Sequence, residues 1–130
     1  MSRWNAKLSR RKLDKIWAEC VKLIGSRRCW WCNTTQPPMH AHHLFHKNAF
    51  PAGRYLLANG RCLCGSCHFK LHCNRETAFL ADIVAEMGAE QFHELKVRCL
   101  VSRGSYNAVQ FERDLKDLND KLVTLGGTTE

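Results

Sequence analysis

Two parts of the chain carry most of its cysteine and histidine: residues 29–46, CWWCNTTQPPMHAHHLFH, and residues 59–72, NGRCLCGSCHFKLH. The first contains the pair Cys29 and Cys32, the second contains the pair Cys64 and Cys67, and 31 residues separate the two pairs. A C-x-x-C pair places two thiolates on one tight turn, and two such turns complete a tetrahedral sulfur site that suits zinc. The sequence therefore predicts one structural Zn²⁺ held by these four cysteines.

The chain has four further cysteines, eight in all. In a reducing compartment disulfides are rare, so this number favours metal binding over disulfide bonding. Cys20 and Cys99 fall on apolar faces of expected helices and are assigned to the core. Cys62 and Cys73 flank the second C-x-x-C pair, and each remains an alternative ligand.

Six of the seven histidines lie within 33 residues: His40, His42, His43, His46, His68 and His72. His68 and His72 are four residues apart, so on a helix they share a face and can bind one ion. His42 and His43 are adjacent in an expected strand, where neighbouring side chains point to opposite faces, and the two should therefore have different roles. This pattern favours a functional cluster over scattered surface histidines.

The whole pattern resembles the zinc-bound form of the HNH endonuclease motif: Cys29-x-x-Cys32, His42-His43, Asn59, Cys64-x-x-Cys67-His68 and His72. The resemblance implies a ββα-metal core, in which two strands and one helix surround a catalytic ion. It implies that His43 is the general base and that His42, His68 and His72 are ligands of that ion. It also implies that Asn59 ties down a loop and orients His43.

A second resemblance extends further along the chain. The two C-x-x-C pairs, Asn59, residues 79–90 and the last expected helix are similar to the C-terminal part of phage NinG (Rap) recombination nucleases. This similarity implies a phage-encoded protein that acts on branched DNA during recombination.

The fold class expected from these features is small α+β, an HNH ββα-metal core stapled by the four-cysteine zinc site and flanked by helices. Residues 1–28 are expected to form a basic N-terminal helix, residues 29–75 the core, and residues 76–125 a helical extension of the same domain. A hydrophobic content of 45% fits a globular protein.

Apolar residues at helical spacing predict helices over residues 9–24, 76–87, 89–98 and 106–123. Ser9 is the expected N-cap of the first helix, and glycines at 25 and 88 should end the first and second. Ile24 and Val97 are expected on buried faces. Residues 102–105 are expected to form a loop.

The chain is basic, with a formal net charge of +8, and the charge is uneven. Residues 1–28 hold nine basic and two acidic side chains, and residues 29–75 hold five basic side chains and no Asp or Glu. Such a positive field attracts a polyanion, and nucleic acid is the usual one. The candidate DNA phosphate contacts are Arg10, Arg11, Lys15, Arg27, Arg28, Arg61, Lys70 and Arg75.

These features predict a metal-dependent DNA endonuclease that hydrolyses phosphodiester bonds with a histidine base and one histidine-bound divalent ion. Imidazole ligands suit Zn²⁺, Ni²⁺, Co²⁺ or Mn²⁺ better than Mg²⁺, which remains an option. Because no segment resembles a base-reading helix, binding to double-stranded or branched DNA should depend weakly on sequence. The alternative is a non-catalytic zinc-finger protein that binds nucleic acid, which explains the cysteines and the charge but not the histidines and Asn59.

The chain has no apolar run of the roughly 18–20 residues that a membrane helix needs and no apolar region typical of a secretory signal. A cytoplasmic location is expected, in the host bacterium if the protein is phage-encoded. Phe111, Leu115, Leu118 and Leu122 form one face of the last expected helix. That face favours packing within the monomer, and a homodimer surface is the alternative, because cutting both DNA strands would need two active sites.

Overall fold

The computed structural model describes residues 5–100 and 106–127 of the 130-residue chain. Its elements follow in the order α1 (Ala6–Ile24), β1 (Met39–His43), β2 (Gly60–Cys64), α2 (Gly65–Lys70), α3 (Glu76–Met87), α4 (Ala89–Leu100) and α5 (Ala108–Thr124). The prediction of a small α+β protein with flanking helices is confirmed. The loop predicted over residues 102–105 lies outside the described residues.

Helix α1 begins earlier than expected. Its N-cap is Asn5, whose side-chain oxygen accepts a hydrogen bond from the N–H of Leu8 at 3.0 Å, and Ser9 lies inside the helix. Asn caps a helix as well as Ser does, so the earlier cap gains an extra turn. Ile24 was also misplaced: it is 49% exposed in the last turn, and Val21 completes the buried face.

Strands β1 and β2 form a two-stranded antiparallel hairpin in which His42 pairs with Arg61 and His43 pairs with Gly60. Because side chains alternate along a strand, His42 lies on one face of the hairpin and His43 on the other. The His43 face packs against α1. A Cβ at Gly60 would lie 2.6 Å from Val21 and 2.7 Å from Trp17, so the close approach of α1 requires a glycine here.

Helix α2 follows β2 directly, and its N-cap is Cys64, whose Sγ accepts a hydrogen bond from the N–H of Cys67. A wide helical turn, Leu71–Arg75, comes next, and Asn74 departs from helical geometry there (φ −169°, ψ 15°). This break separates α2 from α3, and Phe79 of α3 meets the His42 ring with centroids 5.6 Å apart.

The two remaining helices complete two packed clusters. Helix α4 buries Leu95 and Cys99, four residues apart, and leaves Val97 46% exposed, contrary to expectation. Helix α5 packs on α1 and buries Leu118 and Leu122, so the face considered for a homodimer is used within the chain. No helix in residues 5–100 or 106–127 has the length and apolar character to cross a membrane.

Candidate metal centres

The four cysteines of the C-x-x-C pairs meet in one place. The Sγ atoms of Cys29, Cys32, Cys64 and Cys67 all lie within 4.8 Å of one another, and the Cys32 and Cys64 sulfurs are 3.7 Å apart. A tetrahedral zinc site with bonds of about 2.3 Å separates its sulfurs by about 3.8 Å. The arrangement therefore fits a structural zinc ion.

Hydrogen bonds and charge in this cluster favour a bound cation. The N–H of Cys32 donates to Cys29 Sγ, and the N–H of Cys67 donates to Cys64 Sγ, both at 3.4 Å. Burial raises the pKa of the Cys29 thiol, but backbone N–H donors outweigh burial and bring this pKa down to about 7. The pKa of Cys67 rises because of burial and the neighbouring sulfurs. A divalent ion would relieve this repulsion between thiolates.

The other cysteines lie outside the cluster. Cys62 is buried on the hairpin face that meets α1, and Cys73 is exposed beyond α2. Cys20 and Cys99 are buried in the two core clusters, as expected. The ligand set of four cysteines is therefore the one that the C-x-x-C spacing predicts.

Three histidines form a second, separate group. The ring nitrogens that His42, His68 and His72 can offer a metal lie within 4.8 Å of one another, and the Nε2 atoms of His68 and His72 are 3.1 Å apart. Helix α2 and the turn after it supply His68 and His72, and β1 supplies His42. The geometry fits one ion bound by three imidazoles, with ligand bonds of about 2.0–2.1 Å.

Burial favours the neutral form of His42 and His68. His42 is 5% exposed, and its pKa falls to about 3 because of burial and, next, the neighbouring histidines. Burial also lowers the pKa of His68. Neutral imidazole is the form that binds metals. His72 is exposed and His68 half-buried, so the group is open to solvent at these two residues.

Two more histidines border this group. The ring of His40 stacks on that of His68 with centroids 5.0 Å apart. His46 lies edge-on to His42 at 6.0 Å, and its Nε2 is 3.0 Å from Glu76 Oε1. Glu76 follows directly after the carboxylate-free segment 29–75, and its contact with His46 was not foreseen.

His43 does not join the three histidines. Its ring stacks on Trp17 of α1, with centroids 3.9 Å apart and planes 5° from parallel. Its Nε2 lies 2.8 Å from the carbonyl oxygen of Arg54. A carbonyl only accepts hydrogen bonds, so Nε2 carries the hydrogen and Nδ1 keeps a free lone pair. Burial lowers the pKa of His43, which favours the neutral ring.

Asn59 ties down the loop between the strands. Its side chain is fully buried; Oδ1 accepts from the N–H of Phe45 at 2.8 Å, and Nδ2 donates to the carbonyls of Phe45 at 3.0 Å and Gly53 at 3.1 Å. None of these bonds reaches His43 itself. Gly53 precedes Arg54, whose carbonyl oxygen lies 2.8 Å from His43 Nε2, so the loop that Asn59 anchors is the one that contacts His43.

An ion pair missed at the level of sequence supports the same loop. The Arg54 guanidinium makes two hydrogen bonds to the Asp14 carboxylate of α1, at 2.8 Å and 2.6 Å. The Trp17 indole N–H also donates to the Leu56 carbonyl at 2.9 Å. In the sequence, Asp14 stands out only as an acidic residue on the basic side of α1. Nothing in the sequence indicates that its partner is Arg54, 40 residues away.

Seven of the eight predicted phosphate contacts are exposed, and Arg61 is half-buried. The exposed ones are Arg10, Arg11, Lys15, Arg27, Arg28, Lys70 and Arg75. Four have contacts within the chain: Arg10 lies over the Tyr106 ring, Arg27 pairs with Glu19, Arg28 donates to the Asn33 carbonyl, and Arg61 donates to the carbonyls of Ala58 and Gly60. Lys70 lies between His68 and His72 in the sequence, and Arg75 follows His72 by three residues.

The likeness to HNH endonucleases rests on the spacing of cysteine, histidine and asparagine residues. The fold brings these residues together as two groups of candidate metal ligands, one of four cysteines and one of three histidines. The asparagine, Asn59, anchors the loop between the strands. Comparisons with protein-family models, with curated proteins and with solved structures find no match.

Proposed function

We propose that this protein is a metal-dependent DNA endonuclease of the HNH type that hydrolyses phosphodiester bonds. The supporting observation is the convergence of His42, His68 and His72 at a site separate from the four-cysteine group. A zinc module that only binds nucleic acid needs the four cysteines and has no use for a second, solvent-facing ligand set. The hairpin followed by α2 would then be the ββα-metal core.

An ion held by three imidazoles keeps open coordination positions and, when bound, would stabilise negative charge on a phosphate and on the leaving oxygen. Zn²⁺, Ni²⁺, Co²⁺, Mn²⁺ and Mg²⁺ are the candidates, and imidazole favours the first four. Lys70 and Arg75 would hold the flanking phosphates, because they are exposed and close in sequence to His68 and His72.

His43 would act as the general base. The bond from Nε2–H to the Arg54 carbonyl leaves the Nδ1 lone pair to take a proton from the attacking water. The same carbonyl would stabilise the imidazolium that results, and the stack on Trp17 fixes the ring plane. Asn59 and the Arg54–Asp14 pair would keep that carbonyl in place.

The alternative is a zinc protein that binds nucleic acid without cleaving it. Its support is the four-cysteine cluster together with the basic charge of residues 1–75. Both functions predict DNA binding, so binding alone does not separate them.

Nicking of a supercoiled plasmid by the purified protein, with each candidate ion in turn, separates the two functions. We expect nicking by the wild type, and loss of both nicking and the exchangeable ion in His68→Ala. His93→Ala is the matched control, because His93 is exposed on α4 and lies outside the histidine group. DNA binding without nicking under every ion would favour the non-catalytic alternative.

A further inference from the structure

Phe79 of α3 lies between the first C-x-x-C turn, residues 29–32, and the three-histidine group. Its side chain is fully buried and contacts three aromatic rings edge to face. The ring centroids are 5.6 Å away for Trp30, 5.3 Å for Trp31 and 5.6 Å for His42. One phenyl ring therefore contacts both middle residues of the first C-x-x-C turn and a candidate ligand of the second ion.

Hydrogen bonds fix the two tryptophans on α3. The indole N–H of Trp31 donates to Asp82 at 2.8 Å, and that of Trp30 donates to Glu86. Phe79, Asp82 and Glu86 are spaced by three and four residues, so they share one face of α3. The first C-x-x-C turn is thereby docked along the helix that carries Phe79.

The His42 ring has no comparable polar anchor. A metal-binding histidine is usually oriented by a hydrogen bond from its second ring nitrogen. In residues 5–100 and 106–127, no hydrogen bond to either nitrogen of His42 is found. The ring is surrounded instead by the rings of His46, His68, His72 and Phe79. Of these four rings, only that of Phe79 neither binds a metal nor takes up a proton.

We propose that Phe79, held by Trp30 and Trp31, positions the His42 ring as a metal ligand and so couples the four-cysteine site energetically to the three-histidine site. The proposal rests on the proposed function, in which His42 binds the exchangeable ion. Zinc binding folds the turn that carries the tryptophans. When that turn is folded, Phe79 is confined and keeps the His42 ring in the orientation that binds the ion. When the turn is unfolded, Phe79 loses two of its three aromatic neighbours, Trp30 and Trp31. Such coupling is reciprocal between the two sites.

Metal affinity, rather than cleavage, tests this role. In the full-length protein that retains its structural zinc, the exchangeable site is emptied by mild chelation and titrated with Co²⁺, followed by visible absorption and calorimetry. We expect Phe79→Leu to raise the Kd for Co²⁺ by about 10- to 100-fold, the usual cost of disturbing residues behind a ligand. The zinc content should not change.

Phe92→Leu is the matched control. Phe92 of α4 packs on the same core, with its ring 5.1 Å from that of Phe45, and it makes no ring contact with a histidine among the described residues. Its Co²⁺ affinity should equal that of the wild type. A loss of affinity as large as that of Phe79→Leu would overturn the proposal, because it would show a general effect of core loosening.

Trp31→Phe provides a second test if Phe79→Leu fails to fold, because it keeps a smaller aromatic ring against Phe79 and removes the N–H that donates to Asp82. It should weaken Co²⁺ binding by a smaller factor than Phe79→Leu. Wild-type affinity in every variant that folds would overturn the coupling while leaving the histidine site intact. A wild-type protein that binds no Co²⁺ beyond its zinc would instead overturn the site itself, and the coupling with it.

Discussion

His42 and His43 are neighbours in the chain but lie on opposite faces of β1 and meet different partners. His42 faces the α2 histidines, where burial and neighbouring imidazoles lower its pKa and keep it neutral. His43 faces α1, where Trp17 and the Arg54 carbonyl hold it. One residue of register thus separates a candidate metal ligand from a candidate base.

Replacing His43 by Ala should lower cleavage by about 10²–10⁴-fold, the usual contribution of a general base. The content of both metal ions and the affinity for DNA should stay unchanged, because His43 lies outside both ligand groups. Single-turnover cleavage and elemental analysis measure the two effects. Loss of the exchangeable ion in His43→Ala would mean that the roles of His42 and His43 are exchanged.

Local spacing was sufficient to predict that the thiols of each C-x-x-C turn lie close together, and that His68 and His72 do. The addition of His42 to that histidine pair came from the resemblance to HNH endonucleases. Local spacing was not sufficient to predict the partners of His43. Arg54 and Asp14 are 40 residues apart, and their contact depends on how a long loop folds back onto α1. No local pattern encodes a contact of that kind.

At the scale of elements, the packing of α1 on the hairpin depends on their close approach at Gly60. The spacing of apolar residues predicted α1 and α3 well, because one buried stripe suffices to define a helix. It misplaced Ile24 and Val97, because burial there depends on where the neighbouring element ends. The kink at Asn74, which separates α2 from α3, also had no local signal.

Gly60→Ala should lower the free energy of unfolding by about 1–3 kcal/mol, the usual cost of inserting a methyl group into a packed core. The added Cβ would lie 2.6 Å from Val21 and 2.7 Å from Trp17 and would disturb the Trp17–His43 stack. Urea denaturation measures the change. Gly65→Ala is the control, because a Cβ there meets Pro38 at 3.5 Å, an ordinary contact. Equal stability of the two variants would contradict the packing described for Gly60.

At the scale of the whole molecule, the two C-x-x-C turns contribute cysteines to the same small core as the hairpin and α3. Cys67→Ser should abolish zinc binding and unfold this core, because zinc binding supplies folding energy in such sites. Circular dichroism and zinc content measure the loss. Cys73→Ser, at an exposed cysteine outside the cluster, should leave both unchanged. A folded, zinc-containing Cys67→Ser protein would show that another residue completes the site.

Positive charge is concentrated in the first 75 residues, whereas the segments after residue 75 are acidic on balance. DNA affinity should therefore fall linearly with salt concentration on a double logarithmic scale, and it should differ little between duplex sequences. Competition between linear duplexes and a four-way junction tests selectivity, with a preference for the junction expected. A tight consensus among cleaved linear ends, without preference for the junction, would show that the protein reads bases.

The most direct test of the account is the metal content of the purified protein before and after mild chelation, measured together with cleavage. We predict one tightly held zinc and one exchangeable ion. Chelation should remove the second ion and stop cleavage while the fold and the zinc persist, and adding the ion back should restore cleavage. A single ion shared by cysteine and histidine ligands, or cleavage that survives loss of the exchangeable ion, would contradict the account.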